Sequence, residues 1–160
     1  MVALARRGFT LIELVVVITI LGVLAAFAVP RFISLDASTR TASIRALVGT
    51  LNSTASQVKA LCKVTGATTG CTDTSSTWQG TINGRSYWLN FGWPDSGDVL
   101  AGGQIDDLIE YSGFRAYLVD WSATRFVRDD APTPNKCSVT YYDANYGAGR
   151  YQIVTDTSGC

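Results

Sequence analysis

The chain predicts an α+β fold: a long N-terminal helix, with a membrane half and an amphipathic half, packed on an antiparallel β-sheet. Three observations predict it. The twenty-one residues from Phe9 to Val29 are almost uniformly apolar. After Pro30 the apolar positions fall into a helical stripe. Beyond Gly66, short runs rich in aromatic and β-branched residues are separated by glycine, proline and asparagine, the spacing of strands and turns.

As a helix rising 1.5 Å per residue, Phe9 to Val29 spans roughly 30 Å, the thickness of a bilayer core. Glu13 is its one charge. A carboxylate in hydrocarbon costs several kcal/mol, from about 3 to above 10 depending on how it is measured, so Glu13 needs a partner or a proton. Pro30 lacks an amide donor and clashes with the preceding turn, so it bends or breaks the helix, and Gly22 adds local freedom. Past it, Ile44, Leu47, Val48, Leu51, Ala55, Val58, Leu61 and Cys62 follow helical spacing. Arg40, Arg45, Asn52 and Lys59 fall largely on other faces. The helix is expected to end near Val64, before Gly66. Such a length, over fifty residues, marks an assembly element whose first half other subunits cover.

Residues 63–76 are small, polar and turn-rich and read as a surface loop. Asn83-Gly84 between two apolar runs signals a hairpin. FGWPDSG reads as a turn and GGQIDDLIEY as a short helix. FRAYLVDW and TRFVRD read as paired strands, APTP as a loop. CSVTYYDA and RYQIVTDT read as the last two strands, joined through Gly147 and Gly149. Helix stripe and one sheet face then bury each other.

Composition narrows function. The chain has 160 residues, 13 basic and 13 acidic, and no histidine. With no basic run or patch, no nucleic acid is expected as a partner. Without histidine the commonest general base and metal ligand is missing. Asp95, Asp98, Asp106 and Asp107 cluster near glycines, but their spacing fits no EF-hand, so a solvated loop and a helix start are expected; no metal and no cofactor is implied. Asn52-Ser53-Thr54 has the form of a sequon but lies mid-helix. The aromatics of the strand region read as core rather than as a base-stacking platform. With no nucleophile motif and no coherent acid pair, the chain is not expected to be an enzyme.

Cys62, Cys71, Cys137 and Cys160 all lie outside the apolar segment, and none of their spacings is CxxC. An even count reads as two disulfides formed in an oxidising compartment. Three connectivities are possible. The sequential one, Cys62–Cys71 and Cys137–Cys160, is favoured because it closes two local loops, each contributing roughly 3 kcal/mol in the loop-entropy account.

At the N-terminus, MVALARRG precedes the apolar run, and the plausible processing point, Gly8–Phe9, lies before that run rather than after it, unlike a secretory signal. Arg6 and Arg7 favour a cytoplasmic N-terminus, with the cysteines across the membrane. The stretch RRGFTLIELVVVITILGVLAAFAVP resembles the amino-terminal signature of type IV pilins. Gly8, Phe9, Glu13, Gly22 and Pro30 carry the match. The resemblance implies a prepilin leader over 1–8, removed after Gly8 by prepilin peptidase, which also methylates the amine of Phe9. It implies a transmembrane and filament-core helix over 9–30 and a periplasmic, later extracellular, pilin domain over 31–160. It implies that Glu13 pairs with the Phe9 amine of a neighbouring subunit, that the helix melts between Gly22 and Pro30 on assembly, and that the C-terminal loop is closed by Cys137 and Cys160. CSVTYYDANYG…IVTDTSGC with YWLNFGWPDSG looks most like the mannose-sensitive haemagglutinin type within the type IVa group.

The function implied is a structural subunit that polymerises with itself into a type IV pilus for adhesion or motility. Before assembly it sits as a single-pass protein in the inner membrane, where the assembly machinery receives it. The alternative is a minor pilin or type II secretion pseudopilin. Glu13 favours a chain-propagating subunit, and the C-terminal disulfide favours a pilin over the main pseudopilin.

Overall fold

The computed structural model describes residues 9–64, 78–82, 85–96, 103–146 and 149–160. Gly8 and the expected leader, Cys71 with most of its loop, Asn83-Gly84, Asp98 and Gly147 lie outside them. Two compact units are present, Met1–Ala37 and Ser38–Cys160.

One helix, α1, runs over Leu11–Val64, ending where the glycine signal placed its end. It continues through Gly22 and Pro30 in the single chain. Proline removes one donor, and the turns on either side carry the helix across the gap. The opening of 22–30 that the resemblance implies concerns the assembled state.

In the second unit the strands form two antiparallel sheets rather than one. Strands β1 (Trp78–Ile82), β2 (Arg85–Asn90) and β3 (Trp93–Pro94) make a small sheet in that order. Strands β4 (Arg115–Asp120), β5 (Ala123–Val127), β6 (Ser138–Tyr142) and β7 (Gln152–Asp156) make a four-stranded meander. The hairpin expected around residues 83–84 is present, with Ile82 opposite Arg85. The segment FGWPDSG is more than a turn: Phe91 and Gly92 both adopt positive φ, 54° and 76°, the primed geometry that reverses a strand in two residues, and Trp93 pairs back to Asn90. β3 stops at two residues because Pro94 brings no amide to a ladder. Beyond it the main chain turns to other partners. Asp95 N donates to Trp88 O, Ile105 N to Asp95 O, and Thr124 Oγ1 to Ser96 O, so the small sheet is not hydrogen-bonded into the large one as a strand.

The short helix expected in GGQIDDLIEY is a four-residue 3-10 turn, Ile105–Leu108. Within APTPNK a second such turn, Pro134–Lys136, starts on a proline, whose fixed φ suits a first helical position. β4 with β5 and β6 with β7 pair as the alternation implied.

Inside the second unit, the α1 stripe meets the inner face of the large sheet. Ile44, Leu47 and Leu51 pack with Phe126, Val139, Tyr141 and Ile105. Each such side chain contributes roughly 1.5–3 kcal/mol on burial. Val58 and Cys62 continue the stripe onto Leu89 of the small sheet. Leu61, expected in the stripe, is exposed instead. Lys59, expected on another face, is only 9% exposed. Its Nζ donates to Phe91 O and lies 5.4 Å from the centroid of the Trp93 ring. The small sheet reaches α1 there and covers a face the linear pattern leaves open, and the ammonium finds a carbonyl and a π-face as it is buried. Lys59→Met strips Phe91 O of its donor, and the second unit is expected to lose about 1–2 kcal/mol in urea unfolding. An unchanged midpoint would make this contact incidental.

Cys137–Cys160 is a disulfide, as expected, closing a loop of 23 residues, and Cys137 is fully buried. Cys62 is also disulfide-bonded. Its expected partner, Cys71, is outside the described residues. The C-terminal segment is clipped from two sides: Arg40 Nη1 donates to Cys160 O at 3.0 Å, and Gly159 N to Lys136 O at 2.9 Å. A Cβ on Gly159 would lie 2.7 Å from Thr133 O, so only glycine allows this approach.

Candidate assembly site on the N-terminal helix

The head of α1 is built by its own first turn. Thr10 precedes the helix, and its main-chain N and Oγ1 both donate to Glu13 Oε2, at 2.9 and 2.8 Å. In return, Glu13 N donates to Thr10 Oγ1 at 3.3 Å. This is a capping box: the threonine satisfies an orphan amide of the first turn and the glutamate reaches back to the cap. The Thr-x-x-Glu spacing is a legible signal for it, hidden because Glu13 stands out first as a lone charge. The box gives Glu13 an additional, local role. It occupies Oε2; among the described residues Oε1 accepts no hydrogen bond.

Beyond this turn, Leu11–Val29 is a 19-residue stretch long and apolar enough to cross a membrane, and none of it is buried. Its second polar side chain, Thr19, is satisfied within the helix by Val15 O and Val16 O, at 3.0 and 2.8 Å. Glu13 is the one charged side chain in the stretch, and among the described residues its Oε1 is unengaged. Phe9 is 81% exposed and sits four residues before it, two positions ahead of the helix. Phe9, Ile12, Glu13, Val16 and Val17 line one shallow groove, apolar except for the carboxylate. An apolar surface that encircles a whole helix has two stable environments, lipid or other helices.

Gly22 has open space where a Cβ would point, so nothing in the single chain demands glycine there. Of the aspartates singled out earlier, Asp95, Asp106 and Asp107 are described. Among the described residues no group of three or more acidic or cysteine side chains could hold a metal ion. Asp95 instead lies in a buried polar cluster with Asn90 and Asp143, residues that strand patterning does not single out.

Residues 1–29 match the prokaryotic N-terminal methylation motif. Among curated proteins, the type IV narrow pilus major component PilA5 of Thermus thermophilus is 47% identical over 47 residues, 29% of this chain and 40% of that protein. The type IV major pilin protein PilA of Myxococcus xanthus is 54% identical over 35 residues, 22% of this chain and 16% of that protein. The chain thus spans well under half the length of the curated relatives it matches. No solved structure matches it. The chain carries the prokaryotic N-terminal methylation motif at the head of an exposed apolar helix, and its similarity to known proteins is to type IV major pilins.

Proposed function

We propose that this chain is a non-enzymatic structural subunit that polymerises into a type IV pilus. One observation carries the reading. Glu13, inside the methylation motif, is the only charge in the exposed apolar stretch Leu11–Val29, and among the described residues its Oε1 accepts no hydrogen bond. Prepilin peptidase cuts after Gly8, removes the eight residues that hold Arg6 and Arg7, and methylates the new amine of Phe9. The chain waits in the inner membrane as a single-pass protein until the assembly machinery draws it into the filament.

The amine so created is cationic, and Glu13 Oε1, unengaged among the described residues, can receive it. Within one subunit the capping box already engages the carboxylate, so the open oxygen suits the amine of a neighbour. In a low-dielectric helix bundle an unpaired charge is costly and a paired one much less so, which sets the register of each incoming subunit. The apolar surface of α1 is then covered by neighbouring copies, giving the filament core. Opening of residues 22–30 would lengthen that segment from about 14 Å as helix to about 30 Å extended. The adhesive role belongs to this reading through the resemblance of the C-terminal region to mannose-sensitive haemagglutinin pilins.

The intact mass of the polypeptide in sheared cell-surface material tests it. The expected species is abundant, starts at N-methylated Phe9, and is four hydrogens lighter for two disulfides. A cleaved chain that stays in the membrane would point to a minor pilin or pseudopilin. An uncleaved one would overturn the reading.

A further inference from the structure

We infer that Asp95 and Asp143 share one proton and form a pH-sensitive latch between the small sheet and the large one. The geometry is specific. Asn90, at the end of β2 and 1% exposed, donates through Nδ2 to Asp95 Oδ1 at 2.9 Å and to Asp143 Oδ2 at 3.1 Å. Both carboxyl groups are thus held within hydrogen-bond distance of one amide nitrogen. Two carboxylates gathered on one buried amide repel each other and offer only acceptors, and a proton on one of them removes the repulsion and supplies a donor. Asp143 is fully buried, and its other oxygen, Oδ1, accepts the amides of Asn145 and Tyr146 at 2.8 and 3.3 Å. Asp95 Oδ1 also takes the amide of Ser96 at 2.7 Å.

The pair sits where the sheets are fastened. Tyr141 Oη donates to Pro94 O at 2.8 Å and Thr124 Oγ1 to Ser96 O at 2.6 Å, and within the large sheet Asp143 N donates to Ser122 O at 2.9 Å. The titratable and charged groups on the elements around it include Tyr87 on β2, Asp120 at the end of β4, Arg125 on β5, Tyr141 and Tyr142 on β6, Tyr146 and Tyr151 between β6 and β7, Asp106 and Asp107 in the 3-10 turn, and Lys59 on α1. Lys59 is engaged by Phe91 O and the Trp93 ring. Burial first, then the bond to Asp95 and its charge, push Asp143 up to about 7, against the amides of Tyr146 and Asn145, which pull it down.

The sign follows. The folded state holds the Asp143 proton more tightly than the unfolded chain, so its contribution is fully present below the ordinary aspartate range and is lost as pH rises through about 7. Above that, the proton leaves to water and two like charges face each other across one amide. The chain has no histidine, so apart from the amine at its head few groups titrate between pH 5 and 8. Asp106, also raised by burial, is the control.

The test is urea unfolding of the full chain in detergent micelles, followed by tryptophan fluorescence from pH 5 to pH 8. The wild-type folding constant is expected to fall at least about tenfold over that range. Asp143→Asn keeps an oxygen for the Asn145 and Tyr146 amides and an N–H for Asp95, and its profile should be flat. Asp106→Asn should keep the wild-type fall. Should Asp143→Asn not fold, Asp95→Asn removes the same shared proton, and amide exchange at Asn145 and Tyr146 gives a local readout: protection, corrected for intrinsic rate, drops above pH 7 in the wild type alone. A flat wild-type profile, or a fall retained by both variants, overturns the latch. So does recovery of the pH 5 constant at pH 8 on adding calcium chloride, which would make the pair a cation site.

Discussion

Glu13→Gln is expected to cut filament yield at least tenfold while leaving membrane insertion, cleavage and methylation intact. The substitution is chosen because it separates the two roles of the side chain. Glutamine at this position keeps a carbonyl oxygen for the two Thr10 donors, and the capping box accepts Glu or Gln alike. What it removes is the charge. In the proposed filament each neighbouring Phe9 amine is then left without a counter-ion in an apolar bundle. Breaking one side of a buried pair costs about 3–5 kcal/mol, or roughly two to nearly four orders of magnitude in subunit affinity. Glu13→Ala removes both the charge and the cap, so it should assemble no better and fray at the first helical turn. Wild-type filament yield from Glu13→Gln would reduce Glu13 to a capping residue and remove the pairing from the account. Yield is read as chain recovered by shearing against chain retained in the membrane.

The second large effect lies at the other end of the chain. Replacing both Cys137 and Cys160 with alanine is expected to destabilise the Ser38–Cys160 unit by about 2–5 kcal/mol, the range for a native disulfide in a small extracytoplasmic domain. Two things place the effect in that range. Cys137 is fully buried in the cluster formed by Ile44, Leu47, Leu51, Phe126, Val139 and Tyr141. The bridged residue Cys160 follows β7, an edge strand paired on one side with β6 alone. Arg40 and Gly159 still clip the segment when the bridge is gone, so the large sheet should persist with β7 exchanging its amides first. The urea midpoint of the variant should fall below that of the oxidised wild type, and the reduced wild type, which also loses the Cys62 bridge, should fall at least as far. A variant as stable as the oxidised wild type would mean that the clip alone holds the C-terminal segment.

Much of this molecule is legible because its strongest signals are local. The uniform apolar run, the stripe from Ile44 to Cys62 and the end of α1 at Val64 depend on spacing within one helix, and spacing is what a sequence displays. The meander β4–β7 is legible for the same reason, since alternation and turn residues lie within a few positions of each other. The methylation motif is local as well. The features that escape are of two kinds. Thr10–Glu13 is a local signal of the most readable sort, masked by a louder property of the same residue. Lys59, Asn90 and Asp143 are long-range. Lys59 is buried by a carbonyl 32 positions away, and Asn90 meets Asp143 across 53. Such meetings are decided by where the β2–β3 turn lands on the larger sheet, and no periodicity reports that. The split into two sheets belongs with them, because it follows from which partners Asp95 and Ser96 find.

The most direct test of the central claim is a cryo-electron microscopy reconstruction of filaments sheared from cells that express this chain, resolved well enough to place the first turn of α1. The account predicts a Glu13 carboxylate oxygen within ion-pair distance of the methylated Phe9 nitrogen of a neighbouring copy, with Thr10 still donating to the other oxygen. A filament in which Glu13 meets only its own chain would contradict it.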